Sequence, residues 1–153
     1  MVVEKATELG VRGLRPVRAT RSLAQSQGRE RLARWKRLVT EASEQCRREQ
    51  RPSIEPPVEI EELVAGVPAA GTLRLFASER EASTYVDDVI PAGSAPTGVE
   101  ILVGPEGGFT AAEADAAIGH GWRAFSLGDR PLRAETAAIV ATALVIEALR
   151  RGS

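Results

Sequence analysis

The chain has little of what many site chemistries require. Its 153 residues include one cysteine and one histidine. Cys46 alone cannot close an internal disulfide, and one Cys with one His does not furnish the ligands of a transition-metal site. Cys46 falls in a helical pattern and reads as a small core residue rather than a nucleophile. His120, between Gly119 and Gly121, falls at a predicted helix end, where capping or solvent exposure is its expected role. No apolar run approaches the length that crosses a bilayer, and the start Met-Val-Val-Glu-Lys is not a secretory signal. A reducing cytoplasm suits this composition. Two nucleotide signatures are also missing. There is no G-x-G-x-x-G fingerprint, and no glycine loop runs into Gly-Lys-Ser/Thr. Their absence weakens a reading as a nucleotide-binding enzyme of another chemistry.

What is present fits one ordinary domain. Apolar residues make up 43% and charged residues 27%, enough to bury a real core. The net charge of −1 conceals an asymmetry. Residues 1–53 hold 13 Lys/Arg against 6 Asp/Glu, and the remaining residues hold 7 against 15. A basic half beside an acidic half fits a local surface for a polyanion. Charge alone fits a solvated, arginine-rich helix face slightly better.

The order of elements alternates. Val2 to Leu9 reads as a short helix stopped by Gly10, and Leu14 to Val17 as a brief strand. Arg29 to Glu49 is a long helix, because Leu32, Trp35, Leu38, Val39, Ala42 and Cys46 recur at three- and four-residue steps. Arg31, Arg34 and Arg37 fall on its other face and read as solvated. Pro52, Pro56 and Pro57 end it in a stiff link. Ile60 to Ala65 is a further short helix, Leu73 to Ala77 a strand, and Glu79 to Val86 a weak helix. A loop from Ala92 to Gly98 leads to Val99 to Val103, a buried strand by its near-continuous apolar character. Thr110 with Glu113 forms a capping box ahead of a helix ending at Gly119. Ala124 to Leu127 is the next strand. A helix from Ala134 to Arg150 closes the chain, with Ile139, Val140, Ala143, Leu144 and Ile146 on its apolar side. The alternation argues an α/β domain with a mostly parallel sheet and flanking helices.

Two glycine-bearing turns follow the last two predicted strands. The first is Leu102-Val-Gly-Pro-Glu-Gly-Gly-Phe-Thr110, the second Leu127-Gly-Asp-Arg-Pro-Leu-Arg-Ala-Glu-Thr136. Each exposes backbone amides at a strand end, and such amides bind a small polar ligand with few charged side chains. Glycine there also serves a plain turn. The second loop carries more than a connection needs: Pro131, Leu132, Arg133, Glu135 and Thr136 combine rigidity, charge and hydroxyl.

These residues resemble one family along nearly the whole chain: the bacterial 16S ribosomal RNA uridine-N3 methyltransferases of the SPOUT superfamily. The resemblance rests on Glu4-Lys-Ala-Thr-Glu-Leu-Gly-Val11, Arg21-Ser22, and Trp35 with Glu41-Ala42, Glu44-Gln45, Arg48 and Pro52. It continues through Gly104-Pro-Glu-Gly-Gly-Phe109, Leu127-Gly128 and Leu132-Arg-Ala-Glu-Thr-Ala137. It implies a parallel α/β sheet whose C-terminal segment is tied in a deep trefoil knot. It implies a homodimer with active sites between subunits, S-adenosylmethionine as cofactor, and 16S ribosomal RNA or the small ribosomal subunit as partner. Neither a membrane nor a metal enters. Family members usually begin with a PUA-like barrel; the resemblance starts at residue 2, so residues 1–153 are expected to be the methyltransferase domain without it. A non-catalytic RNA-binding module keeping the same fold is the alternative.

The resemblance also distributes roles. Ala77, Leu102, Val103, Gly104, Pro105, Glu106, Gly107, Gly108, Leu127, Gly128, Leu132, Ala134 and Thr136 are expected to hold the cofactor, mainly through backbone. Residues after the Leu73–Ala77 strand should add a third wall. Arg133 is expected to favour the deprotonated uracil, with Glu135, or else Glu106, taking the proton. Glu135 also suits a helix N-terminus on charge grounds alone. Lys5, Arg12, Arg15, Arg18, Arg21 and Arg48 are expected to contact RNA phosphates.

Overall fold

The computed structural model describes residues 1–22, 28–81 and 83–152. The first helix, α1 (Val2–Leu9), stops where Gly10 turns left-handed at φ 99° and its N–H closes onto the Ala6 and Thr7 carbonyls. The expected strand at 14–17 is instead two short pieces, β1 (Gly13–Leu14) and β2 (Val17–Arg18). Arg15-Pro16 separates them, because proline has no N–H to give a ladder. Helix α2 (Gly28–Gln45) follows and ends two residues before Arg47, which is left-handed at φ 57°. The proline link after it is paired rather than free. β3 (Ser53–Ile54) lies parallel to β1, and β4 (Val58–Glu59) parallel to β2.

Helix α3 (Ile60–Ala65) leads into β5 (Thr72–Ala77). The weak helix expected over 79–86 is a correction: α4 spans only Val86–Val89, and Ala82 lies outside the described residues. Side chains claim the backbone before it. Ser78 Oγ accepts from the Arg80 N–H, and Glu81 Oε1 accepts from the N–H groups of Ser83 and Thr84. Such local bonds compete with helix formation. Then come β6 (Gly98–Val103), α5 (Ala111–Gly119), β7 (Arg123–Phe125) and α6 (Ala134–Gly152). Thr110 and Glu113 form the expected capping box at α5. His120, exposed, sits at its C-cap with Nδ1 2.9 Å from the Ala116 carbonyl.

Every ladder is parallel, but the strands form three sheets rather than one: β1-β3, β2-β4, and the central β6-β5-β7. Neighbouring side chains on β5 point to opposite faces. Leu75 enters a cluster with Val86, Val89, Ile90, Phe125, Ala141, Val145 and Ala148. Phe76 enters another with Ile60, Val64, Leu102, Ala114, Ala117 and Trp122. Helices α4 and α6 thus cover one face, and α3 and α5 the other. The face of α6 turned fully inward is Ala141, Thr142, Val145 and Ala148, whereas Leu144 is 38% exposed. The expected apolar side of Ile139, Val140, Ala143, Leu144 and Ile146 is therefore only partly covered in the single chain. β6, an edge strand, is buried fully only at Leu102, against the expectation of a buried strand.

Candidate ligand site at the strand ends

The register of the central sheet makes the site. Ala77 on β5 pairs with Val103 on β6 and with Phe125 on β7, so three strands end level with one another. Open parallel sheets bind ligands at the carboxyl ends of their strands, where successive loops diverge. Here the loops after β5, β6 and β7 converge on one hollow. Its walls are Ala77, Ser78, Glu79 and Arg80 from the first; Val103, Gly104, Pro105, Gly107, Gly108 and Phe109 from the second; Leu127, Gly128, Arg130 and Leu132 from the third. Arg21, Ala114, Ala134 and Ala137 complete it.

Glycine is needed at specific points of this lining. Gly108 (φ 66°) and Gly128 (φ 110°) lie in the left-handed region, which side chains with a Cβ rarely enter. A Cβ on Gly104 would stand 3.2 Å from the Phe109 ring, and one on Gly107 would stand 3.2 Å from the Arg21 Cβ. The Phe109 ring meets Phe76 edge-on at 6.2 Å, which anchors the glycine loop to the core. Arg21 ties the N-terminal arm down by donating from Nη1 to the Gly107 carbonyl at 2.8 Å. Glu113 secures the same junction, because its Oε1 accepts from the Thr20 N–H while its Oε2 accepts from the Thr110 N–H. Burial pushes the Glu113 carboxyl up, but the donors of Thr20 and Thr110 outweigh it and hold it below its ordinary value. Among the described residues, the N–H groups of Gly104, Leu127 and Leu132 have no acceptor within the chain.

Ten of the thirteen expected cofactor residues line the hollow: Ala77, Val103, Gly104, Pro105, Gly107, Gly108, Leu127, Gly128, Leu132 and Ala134. Leu102 lies behind it in the core, 4% exposed. Glu106 and Thr136 are exposed beside it and outside its lining. Arg133 and Glu135 flank two lining residues, Leu132 and Ala134, but are themselves exposed and not among the walls. Sequence reasoning placed a wall after β5 without naming its residues, and did not single out Phe109, Ala114, Arg130 or Ala137 as walls. Ser78, Glu79 and Arg80 follow directly on an apolar strand, but nothing in their own types marks them as walls.

The six expected RNA contacts are dispersed. Arg21 alone reaches the hollow. Arg48 is half-buried and donates to the Thr7 and Val11 carbonyls at 2.7 and 3.0 Å, so it serves its own chain. Arg15 pairs with Glu55 at 3.6 Å, Arg18 with Glu59 at 2.9 Å and Lys5 with Glu8 at 2.8 Å. Arg12 is exposed and has no side-chain partner among the described residues. Of the arginines read as solvated, Arg31 lies over the Trp35 ring at 5.0 Å.

Among the described residues no helix is long and apolar enough to cross a membrane. Residues 1–146 match the family model of an RNA methyltransferase domain. Ribosomal RNA small subunit methyltransferase E of Synechocystis sp. is 35% identical over 144 residues, covering 94% of this chain and 47% of the relative. The protein of that name from Rickettsia conorii is 34% identical over 146 residues, covering 95% and 57%. Among solved structures, ribosomal RNA small subunit methyltransferase E from Neisseria gonorrhoeae, bound to S-adenosyl methionine, superposes with a TM-score of 0.81 at 34% identity, covering 93% and 57%. A putative methyltransferase from Legionella pneumophila with bound cofactor SAM gives a TM-score of 0.84 at 33% identity, covering 96% and 60%. The chain spans about half the length of the curated relatives it matches.

Proposed function

This chain belongs to the RNA methyltransferase domain family, and from that premise we propose that it transfers a methyl group from S-adenosylmethionine to N3 of a uridine in 16S ribosomal RNA. In this reading residues 1–153 act as one SPOUT methyltransferase domain with a deep C-terminal trefoil knot. The domain works as a homodimer in the cytoplasm, on free RNA or on the small ribosomal subunit.

The observation that carries the reading is the convergence of three strand-end loops on one hollow. The hollow suits the donor. Val103, Phe109, Leu127 and Leu132 offer apolar surface to an adenine, and the unpaired N–H groups of Gly104, Leu127 and Leu132 offer donors to its polar edge. When bound, the donor supplies a methyl already activated on a sulfonium, so that positioning contributes much of the acceleration. The remaining obstacle is the proton on uracil N3. Arg133 stands beside the base, where its cation favours the deprotonated ring. Glu135 takes the leaving proton, with Glu106 the other candidate acceptor. Both Arg133 and Glu135 face outward beside the hollow, which agrees with an RNA strand arriving across it. A second subunit packed against α6 would cover its apolar residues left partly exposed, Leu144 foremost.

Two measurements on Arg133→Ala test the reading. Transfer of a labelled methyl to RNA should be abolished, while calorimetric binding of S-adenosylhomocysteine stays near that of the wild type. Near-normal turnover would refute the role of Arg133. Wild-type protein that binds S-adenosylhomocysteine but transfers nothing to RNA would favour the non-catalytic module.

A further inference from the structure

We infer that Glu79 is the counter-charge for the cationic methionine end of the donor, and so a binding and specificity residue of this site. The inference rests on the cofactor reading above and goes beyond it by assigning a residue that the sequence motifs do not reveal.

Among the described residues four charged ones line the hollow: Arg21, Glu79, Arg80 and Arg130. Arg21 is committed to the Gly107 carbonyl. The side chains of Arg80, Arg130 and Glu79 have no hydrogen bond or ion pair among the described residues. Glu79 is thus the one carboxylate of the lining among the described residues, and it is unspent. Its position is specific. A Cβ on Gly108 would stand 3.6 Å from Glu79 Oε2, so the carboxylate leans over the glycine loop that forms the opposite wall. An anion between two walls of a ligand site, in a lining otherwise rich in guanidinium, selects for positive charge in the ligand.

The donor carries that charge in two places, a sulfonium and an α-ammonium, beside one carboxylate. The unpaired guanidinium groups of Arg80 and Arg130 complement the carboxylate, and Glu79 complements the cations. If the sulfonium is the partner, methyl transfer removes the charge that Glu79 holds. The site then grips the donor more tightly than the spent product, which favours exchange.

Three ligands that share the 5′-thioadenosine portion and differ at the methionine end separate the possibilities in a Glu79→Gln variant. S-adenosylmethionine has both cations, S-adenosylhomocysteine only the ammonium, and 5′-methylthioadenosine neither. By calorimetry, the variant should bind S-adenosylmethionine about fivefold more weakly, the upper end for a solvent-exposed ion pair, and 5′-methylthioadenosine unchanged. Loss confined to S-adenosylmethionine identifies the sulfonium; equal loss with S-adenosylhomocysteine identifies the ammonium. Unchanged binding of all three, or an equal loss that includes 5′-methylthioadenosine, overturns the inference. Wild-type protein that binds none of the three overturns the cofactor reading itself, and this inference with it.

Discussion

Strand β5 runs six residues between two apolar clusters, whereas β1 to β4 are two residues each and carry or adjoin charged side chains. In residues 1–59, Arg15–Glu55 and Arg18–Glu59 bridge paired strands at the surface, and Arg48 clamps the carbonyls that end α1. In residues 72–150, Leu75 and Phe125 are fully buried and Phe76 is 1% exposed. The apolar half holds three loop origins level and so makes a site. The polar half spends many of its cations on its own chain, so fewer remain for a polyanion than the charge count alone indicates.

Substitutions that sample both halves sharpen this contrast. Phe125→Ala should cost the most, about 3–5 kcal/mol, because removing a buried ring leaves a cavity in the cluster around Leu75 and Val145; chemical denaturation measures it. Arg48→Ala should cost about 2 kcal/mol, since two carbonyls lose a charged donor. A loss there as large as that for Phe125 would erase the contrast between the halves. Glu113 joins them, and its effect depends on pH. Its folded value is lowered from 4.5, so its contribution is present above that value and is lost as the pH falls through the folded value. Thermal midpoints of Glu113→Gln should lie below wild type at neutral pH and converge with it in acid. The smallest effect belongs to Arg18→Ala, under about 0.5 kcal/mol, because both partners of the pair are solvated.

Much of this was legible in the sequence where local chemistry decides structure. Gly10, the Thr110–Glu113 box and the apolar runs of β5 and β6 each announce an element through a residue-level cause. Parallel pairing of Ser53–Ile54 and Val58–Glu59 was not legible, because two-residue strands among prolines carry no periodicity. Residues 79–81 and 83–85 misled for a related reason: their composition tolerates a helix, but Ser78 and Glu81 bond to nearby backbone instead. On α6 apolar residues extend around much of the helix, so the pattern could not say that Ala141 and Val145 rather than Leu144 face inward. The glycine loops of the site were visible as motifs. Glu79 and Arg130 were not, because isolated charged residues in loops acquire meaning only when the fold sets them around a shared space.

The central claim is that loops after β5, β6 and β7 enclose a single methyl donor. Backbone hydrogen exchange with and without S-adenosylhomocysteine tests it most directly. Simultaneous protection of 78–80, 104–109 and 127–133, at matching ligand concentrations, is the expected result. Protection of only one segment, or of none, would contradict it.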